Sequence, residues 1–200
     1  MAATLITPPA AEVITLAEAK AHARVSIDDD DGLLAGYAIA ARQHLEMETR
    51  RAFLTQTWDL TIDYGWPQTR ERGRYLNRIV LPRPPVQSIT SITYIDSAGA
   101  TQTLAADQYK LAKASTGEWF IEPAYGVTWP SVRSEMAAIT VRFVAGYGGN
   151  PGDVPEPLRQ AMLLLIGHWY ENREAINIGN IVNELPLAVA SLVFPFRVFY

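Results

Sequence analysis

The chain has 200 residues, 48% hydrophobic and 19% charged, with 21 acidic against 17 basic side chains and a net charge of −4. That length supports one domain, or two small ones, around a real core. The absence of cysteine excludes disulfides, thiolate zinc sites and a cysteine nucleophile. The acidic balance argues against wholesale nonspecific DNA binding, and no apolar run approaches the roughly 20 residues of a bilayer span. The first residues, MAATLITPPAAE, lack the basic region and long apolar stretch of a signal peptide. The expectation is a soluble protein made in a cytoplasm.

Residues 1–14 read as an extended arm. Thr15 and Glu18 form the Thr-x-x-Glu spacing of a capping box, which predicts a helix over about 16–25. The acidic run Asp28–Asp31 suits the N-cap and first turn of a second helix over 31–51. On that helix Leu34, Tyr37, Ala38, Ala41, Leu45 and Glu48 recur at steps of three and four, one mostly apolar face.

The period changes to two near residue 57, where Trp58, Leu60, Ile62 and Tyr64 alternate with polar residues. Further strands are predicted over 78–82, 88–96, 101–105, 108–113, 118–122 and 137–145, with turns at Asp96–Gly99 and Ser115–Gly117. Pro82, Pro84 and Pro85 cannot donate to a ladder, so that segment is an edge or a crossover between sheets. The glycine-rich stretch 146–155 closes the β region, and a third helix runs from about 156 to 174 with Leu158, Ala161, Met162, Leu165, Trp169 and Arg173 in one stripe. The fold class expected is α+β. A helical module (1–56 and 151–200) is interrupted by an antiparallel sandwich or barrel-like insert (57–150) and ends in an extended apolar tail.

No catalytic, cofactor-binding or metal site is expected. His44 and Glu48 are one helical turn apart, but His22 and His168 supply no matching second pair. No G-x-S-x-G elbow is present. Asp28–Asp31 lacks the spacing of a cation loop, and Gly146–Gly152 lacks the G-K-[ST] ending of a phosphate loop. Trp58, Trp66, Trp119 and Trp129 could line a sugar-binding surface, although at alternating strand positions they fit a core.

Two features stand out. Arg70, Arg72, Arg74, Arg78 and Arg83 are offset only by Glu71. They read either as a DNA- or partner-facing loop or as a solvated hairpin loop with its own surface pairs. The tail is apolar to its end, through Leu192, Val193, Phe194, Pro195, Phe196, Arg197, Val198, Phe199 and Tyr200. Such a segment either packs back on its own helices or docks on another subunit through aromatic anchors and one arginine.

The order of LAEAKAHARV (16–25), LEMETRR (45–51), TQTWDL (55–60), LPRPPVQSITSITYID (81–96), DQY (107–109), WP (129–130), VRFVAGYG (141–148), VPEPLRQAMLLLIGHWYENRE (154–174) and ELPLAVASLVFPFR (184–197) resembles the head–tail connector (adaptor) proteins of tailed bacteriophages and gene transfer agents. The resemblance implies a structural virion protein, not an enzyme. It implies a dodecameric ring of neighbouring copies below the portal protein ring and around the DNA exit channel. The tail would dock into the portal, and a tail or stopper protein would follow. It places the protein at the head–tail junction of a particle assembled in the bacterial host cytoplasm, with no cofactor and no membrane. A carbohydrate- or receptor-binding β module of such a particle is the alternative.

Overall fold

The computed structural model describes residues 1–71, 74–115, 117–173 and 187–198, and it leaves the side chains of 69–71 and 74–76 undescribed. The chain divides into two compact units, 1–8 with 55–146, and 9–54 with 147–200.

The first unit is built of antiparallel sheets. Strands β1 (Ala2–Thr7), β2 (Gln56–Ile62), β6 (Val86–Ile95), β7 (Thr101–Thr103) and β10 (Ile139–Ala145) make one sheet in the order β1-β2-β10-β6-β7. Among the described residues the sheet is open, ending at β1 and β7. Period-two patterning sorts its faces. Leu60, Ile62, Ile139, Val141, Phe143 and Ala145 are buried. On the opposite face Arg142 lies across from Asp59 and donates two hydrogen bonds to it, at 2.8 and 2.7 Å. The expected N-terminal arm is an edge strand here, with Ala3 opposite Leu60.

A second sheet has the order β5-β9-β8, from β5 (Ile79–Leu81), β8 (Tyr109–Lys113) and β9 (Trp119–Pro123). Ile79, Leu81 and Ile121 are its buried residues. The proline segment 82–85 carries the chain from β5 to β6, from one sheet to the other, the crossover that missing amides dictate. A two-stranded hairpin, β3 (Thr69–Glu71) with β4 (Arg74–Leu76), occupies the arginine-rich stretch that reads as a loop in sequence.

The second unit is helical: α1 (Leu16–Ala23), α2 (Asp31–Thr49), α3 (Glu156–Glu171) and α4 (Leu187–Val193), which runs into a 3-10 turn at Phe194–Phe196. Thr15 and Glu18 form the predicted capping box on α1. Leu34, Ala38, Ala41 and Leu45 of α2 meet Leu158, Ala161, Met162, Leu165 and Ile166 of α3 in one core with Val189 and Val193. Gly167 lets α1 approach closely, because a Cβ there would stand 3.2 Å from the His22 ring. Arg159 of α3 clamps the segment ahead of α1, donating to the carbonyls of Val13 and Pro151 at 3.0 Å and pairing with Glu18.

Candidate functional site

Helix α2 organises the second unit through buried charge. Arg42 is 5% exposed. Its Nε donates to Glu12 at 2.7 Å and its Nη1 to Glu46 at 2.9 Å. Glu46 also accepts the Phe53 amide at 2.8 Å. Burial pulls the Arg42 pKa down, but the bonds and charges of Glu12 and Glu46 outweigh it and the net direction is up. A buried guanidinium with two carboxylates is satisfied only while all three stay in place. One side chain therefore fixes the residue-12 segment, the helix and the chain exit at Phe53.

The same helix end holds the tail. Val198 donates its amide to the Thr49 carbonyl at 3.1 Å, Arg51 Nε reaches the Phe196 carbonyl at 2.5 Å, and Arg197 pairs with Glu48. The tail is thus not an extended hook over 187–198. Val189 and Val193 are fully buried, and Leu192 and Phe196 pack against the same core. Burying these side chains on their own unit offsets the ordering cost locally. Helical spacing leaves Leu187 (90% exposed), Phe194 (61% exposed) and Pro195 facing out. Phe199 and Tyr200 lie outside the described residues.

The arginine cluster divides. Arg78 is folded in, since its Nη2 donates to Glu118 at 2.9 Å and its guanidinium sits 4.8 Å from the Phe120 ring centre. Arg83 lies 5.1 Å over the Trp58 ring. Both side chains make contacts inside the sheet unit. The backbones of Arg70 and Arg74 sit in the β3–β4 hairpin. Their side chains, and Arg72 entirely, lie outside what is described.

The remaining candidates resolve into structure. Trp66 and Trp129 stack at 4.4 Å and donate their indole N–H groups to the Pro130 and Asn77 carbonyls, so each face of that pair turned toward the other is used internally. Asp30 stands at the N-cap of α2 without capping it and accepts instead from Tyr170 at 2.6 Å and Arg173 at 2.7 Å. Those two donors hold its carboxyl below the usual range. Asp28 and Asp31 both pair with Lys20. In the glycine-rich turn Gly148 makes room for the Asp153 carboxylate, which accepts from the Asn150 amide at 2.8 Å. His22 and His168 line a cleft of about 580 Å3 with Arg24, Tyr170 and Glu171. No group of three His, Asp or Glu side chains among the described residues is placed to hold a metal ion. No helix among them is long and apolar enough to cross a membrane.

Residues 13–96 match the family model of phage gp6-like head-tail connector proteins. The match runs from Val13 through α1 and α2, with Arg42 and Glu46, to the end of β6. No curated protein matches the sequence. Among solved structures, the fold is similar to a chain in the neck of an empty gene transfer agent particle computed with C6 symmetry. The TM-score is 0.79 at 24% identity, covering 100% of this chain and 97% of that one. A chain in the virion of a native gene transfer agent particle has a TM-score of 0.79 at 23% identity. One in the neck of a native particle computed with C12 symmetry has 0.77 at 23%, each with the same coverage. At this identity the likeness carries the fold, α helices with antiparallel sheets, across both units.

Proposed function

We propose that this chain is a structural protein of the head–tail junction of a phage or gene transfer agent particle, where copies form a ring below the portal and around the DNA channel. The observation that carries the reading is the end-to-end likeness to a neck protein, 100% of this chain against 97% of the other, joined to the connector signature over 13–96. The C6 and C12 symmetries of the neck particles support a ring of copies. An assembly part needs exposed recognition surfaces on a firmly held frame, not a reactive constellation. The Arg42 clamp and the tail strap build such a frame.

The docking role of the tail narrows to its outward residues, Leu187, Phe194, Pro195 and whatever Phe199 and Tyr200 add. Val193 and Phe196 belong to the subunit's own core. The DNA- or partner-facing role stays with Arg70, Arg72, Arg74, Arg78 and Arg83, the last two of which also make contacts inside the sheet unit. Portal above, tail or stopper protein below, and assembly in the host cytoplasm complete the reading.

The test is a particle lacking this protein. DNA-filled heads without tails are expected, and adding the purified chain restores joining. Normal tailed particles in its absence would overturn the reading. A carbohydrate-binding role draws no support from the Trp66–Trp129 pair, whose rings stack on each other.

A further inference from the structure

One carboxylate stands between the tail and a histidine. Glu48, in the last turn of α2, holds the tail through Arg197, which bonds its Oε1. Four residues back on the same helix, His44 brings Nε2 to 3.8 Å from the other oxygen, Oε2, beyond hydrogen-bond range. Both atoms are shut off from water, and among the described residues neither has a hydrogen-bond partner. Buried polar atoms are nearly always bonded, so two orphans facing each other need a reason.

The reason lies in the tail. Residues at i and i+4 on a helix are within reach of each other, but here the carboxylate is drawn to Arg197 and its second oxygen stops short of the ring. The other charges around it have the sign of Arg197. Arg51 donates its Nε to the Phe196 carbonyl at 2.5 Å and also bonds the Tyr147 side chain. Arg50 is the exposed, left-handed C-cap residue of α2. From α3, Trp169 sets its ring at a steep angle 6.4 Å from the imidazole and brings no charge. The His44 side chain as a whole is 38% exposed, so a proton reaches the ring from its outer side.

We propose that His44 is a proton-driven release for the tail strap: charged, it competes with Arg197 for Glu48 and loosens residues 194–198. The sign follows from the charges met in each state. With the strap closed, a cationic imidazole faces a carboxylate already paired, with Arg197 and Arg51 close by. With the strap open, Arg197 has left and the imidazolium has Glu48 to itself at bonding distance. The proton therefore binds the open state more tightly, and a ligand with that preference shifts the equilibrium toward it. Histidine is the side chain whose charge ordinarily changes between pH 5 and 8. The unfolded chain gives the proton no such partner, so acid in this range opens the strap before it costs the fold. Val189 and Val193 are fully buried and keep α4 in place. Opening frees Phe196, now packed on the core, beside the outward ring of Phe194. None of this depends on what the chain assembles with.

The test is amide hydrogen exchange of the purified full chain, read at Val198, whose N–H donates to the Thr49 carbonyl at 3.1 Å. Rates at pH 7.5 and pH 5.5 are corrected for the intrinsic pH dependence of exchange. Opening of the strap should rise about tenfold toward the lower pH, the effect of one unit of differential proton affinity, while the melting temperature holds. His44→Gln, neutral at both pH values, should show the same opening at both. Arg197→Gln should leave the strap open at both. Equal protection of the wild type at the two pH values overturns the proposal, and so does a His44→Gln chain that still opens in acid. Glu48→Gln gives a second route that does not depend on His44→Gln folding. It removes the contested charge, so its opening should not vary with pH, and an acid response equal to that of the wild type overturns the proposal.

Discussion

Helices α2 and α3 pack against each other through apolar side chains, yet their other residues are arranged in opposite ways. On α3 the exposed positions are Glu156, Pro157, Gln160, His168 and Glu171, and the five buried ones are all apolar. This is the usual arrangement of a surface helix, apolar inside and polar outside. On α2 the charges point inward and hold three other segments, Glu12, Phe53 and Arg197, while the outer face is bare. The comparison separates a helix whose buried positions are all apolar from one that ties the chain together through buried charge. It also says where substitutions should hurt the subunit and where they should hurt only the assembly.

The largest effect is expected at the clamp. Arg42→Ala leaves two carboxylates facing each other without their cation, at a cost of about 3–5 kcal/mol. For a chain of this size that is a loss of ~10 °C in melting temperature, readable by thermal or urea unfolding. The counterpart on α3 is Leu158→Ala, about 2–5 kcal/mol from a cavity alone. The comparison breaks if Arg42→Ala unfolds at the wild-type midpoint, since the guanidinium would then hold nothing that water could not replace.

The tail comes next. Val193→Ala should cost about 1–3 kcal/mol because the side chain is fully buried. Phe194→Ala, one residue on and mostly exposed, should stay within about 0.5 kcal/mol of wild type and lower the yield of tailed particles instead. Equal destabilisation by both would place Phe194 in the core and remove it from the docking set.

Much of this was legible in the sequence, and what was not has a common cause. Local signals survived intact. The Thr15–Glu18 capping box, the apolar stripe from Leu34 to Leu45 and the proline crossover between β5 and β6 each depend on neighbours within a few residues. The misses all depend on partners distant in sequence. Residues 2–7 have no alternating polarity to announce a strand, and they become one by pairing with residues 57–61. Arg78 looks like one of five loop arginines until Glu118 arrives 40 residues later. The tail reads as a free hook because nothing near it reveals that Thr49, Glu48 and Arg51 wait at the end of α2. The candidate site was visible only in part. The whole stretch from Leu192 to Tyr200 reads as a docking segment in sequence, and only burial separates the exposed Phe194 and Pro195 from Val193 and Phe196, which pack on the core.

Acid should act on the α1–α2 connection before it acts on the helix core. Asp28 is held below the usual carboxylate range by its hydrogen bond and charge pairing with Lys20, and Asp30 by Arg173 and Tyr170. A carboxyl whose folded pKa is depressed takes up its proton first in the unfolded chain. Its contribution is complete above the unfolded value of about 4 and is lost as pH falls through the lower folded value. Melting temperature should therefore be flat from neutrality down to about pH 5 and decline below about pH 4, with a shallower decline in Asp30→Asn. An onset of loss near neutrality would point to histidine and away from these pairs.

The smallest effect has the most informative sign. Gly36→Ala adds a methyl group where nothing lies within 4 Å and replaces the poorer helix former by the best one. The isolated subunit should gain about 0.5–1 kcal/mol, a shift of ~2–3 °C. The measurement is melting of the purified chain. A higher melting temperature means that the outer face of α2 is open at Gly36 within the subunit, so that the methyl group meets water and only helix propensity changes. An unchanged or lower one would mean that the subunit fills that space itself, and the contrast with α3 would lose its bare outer face.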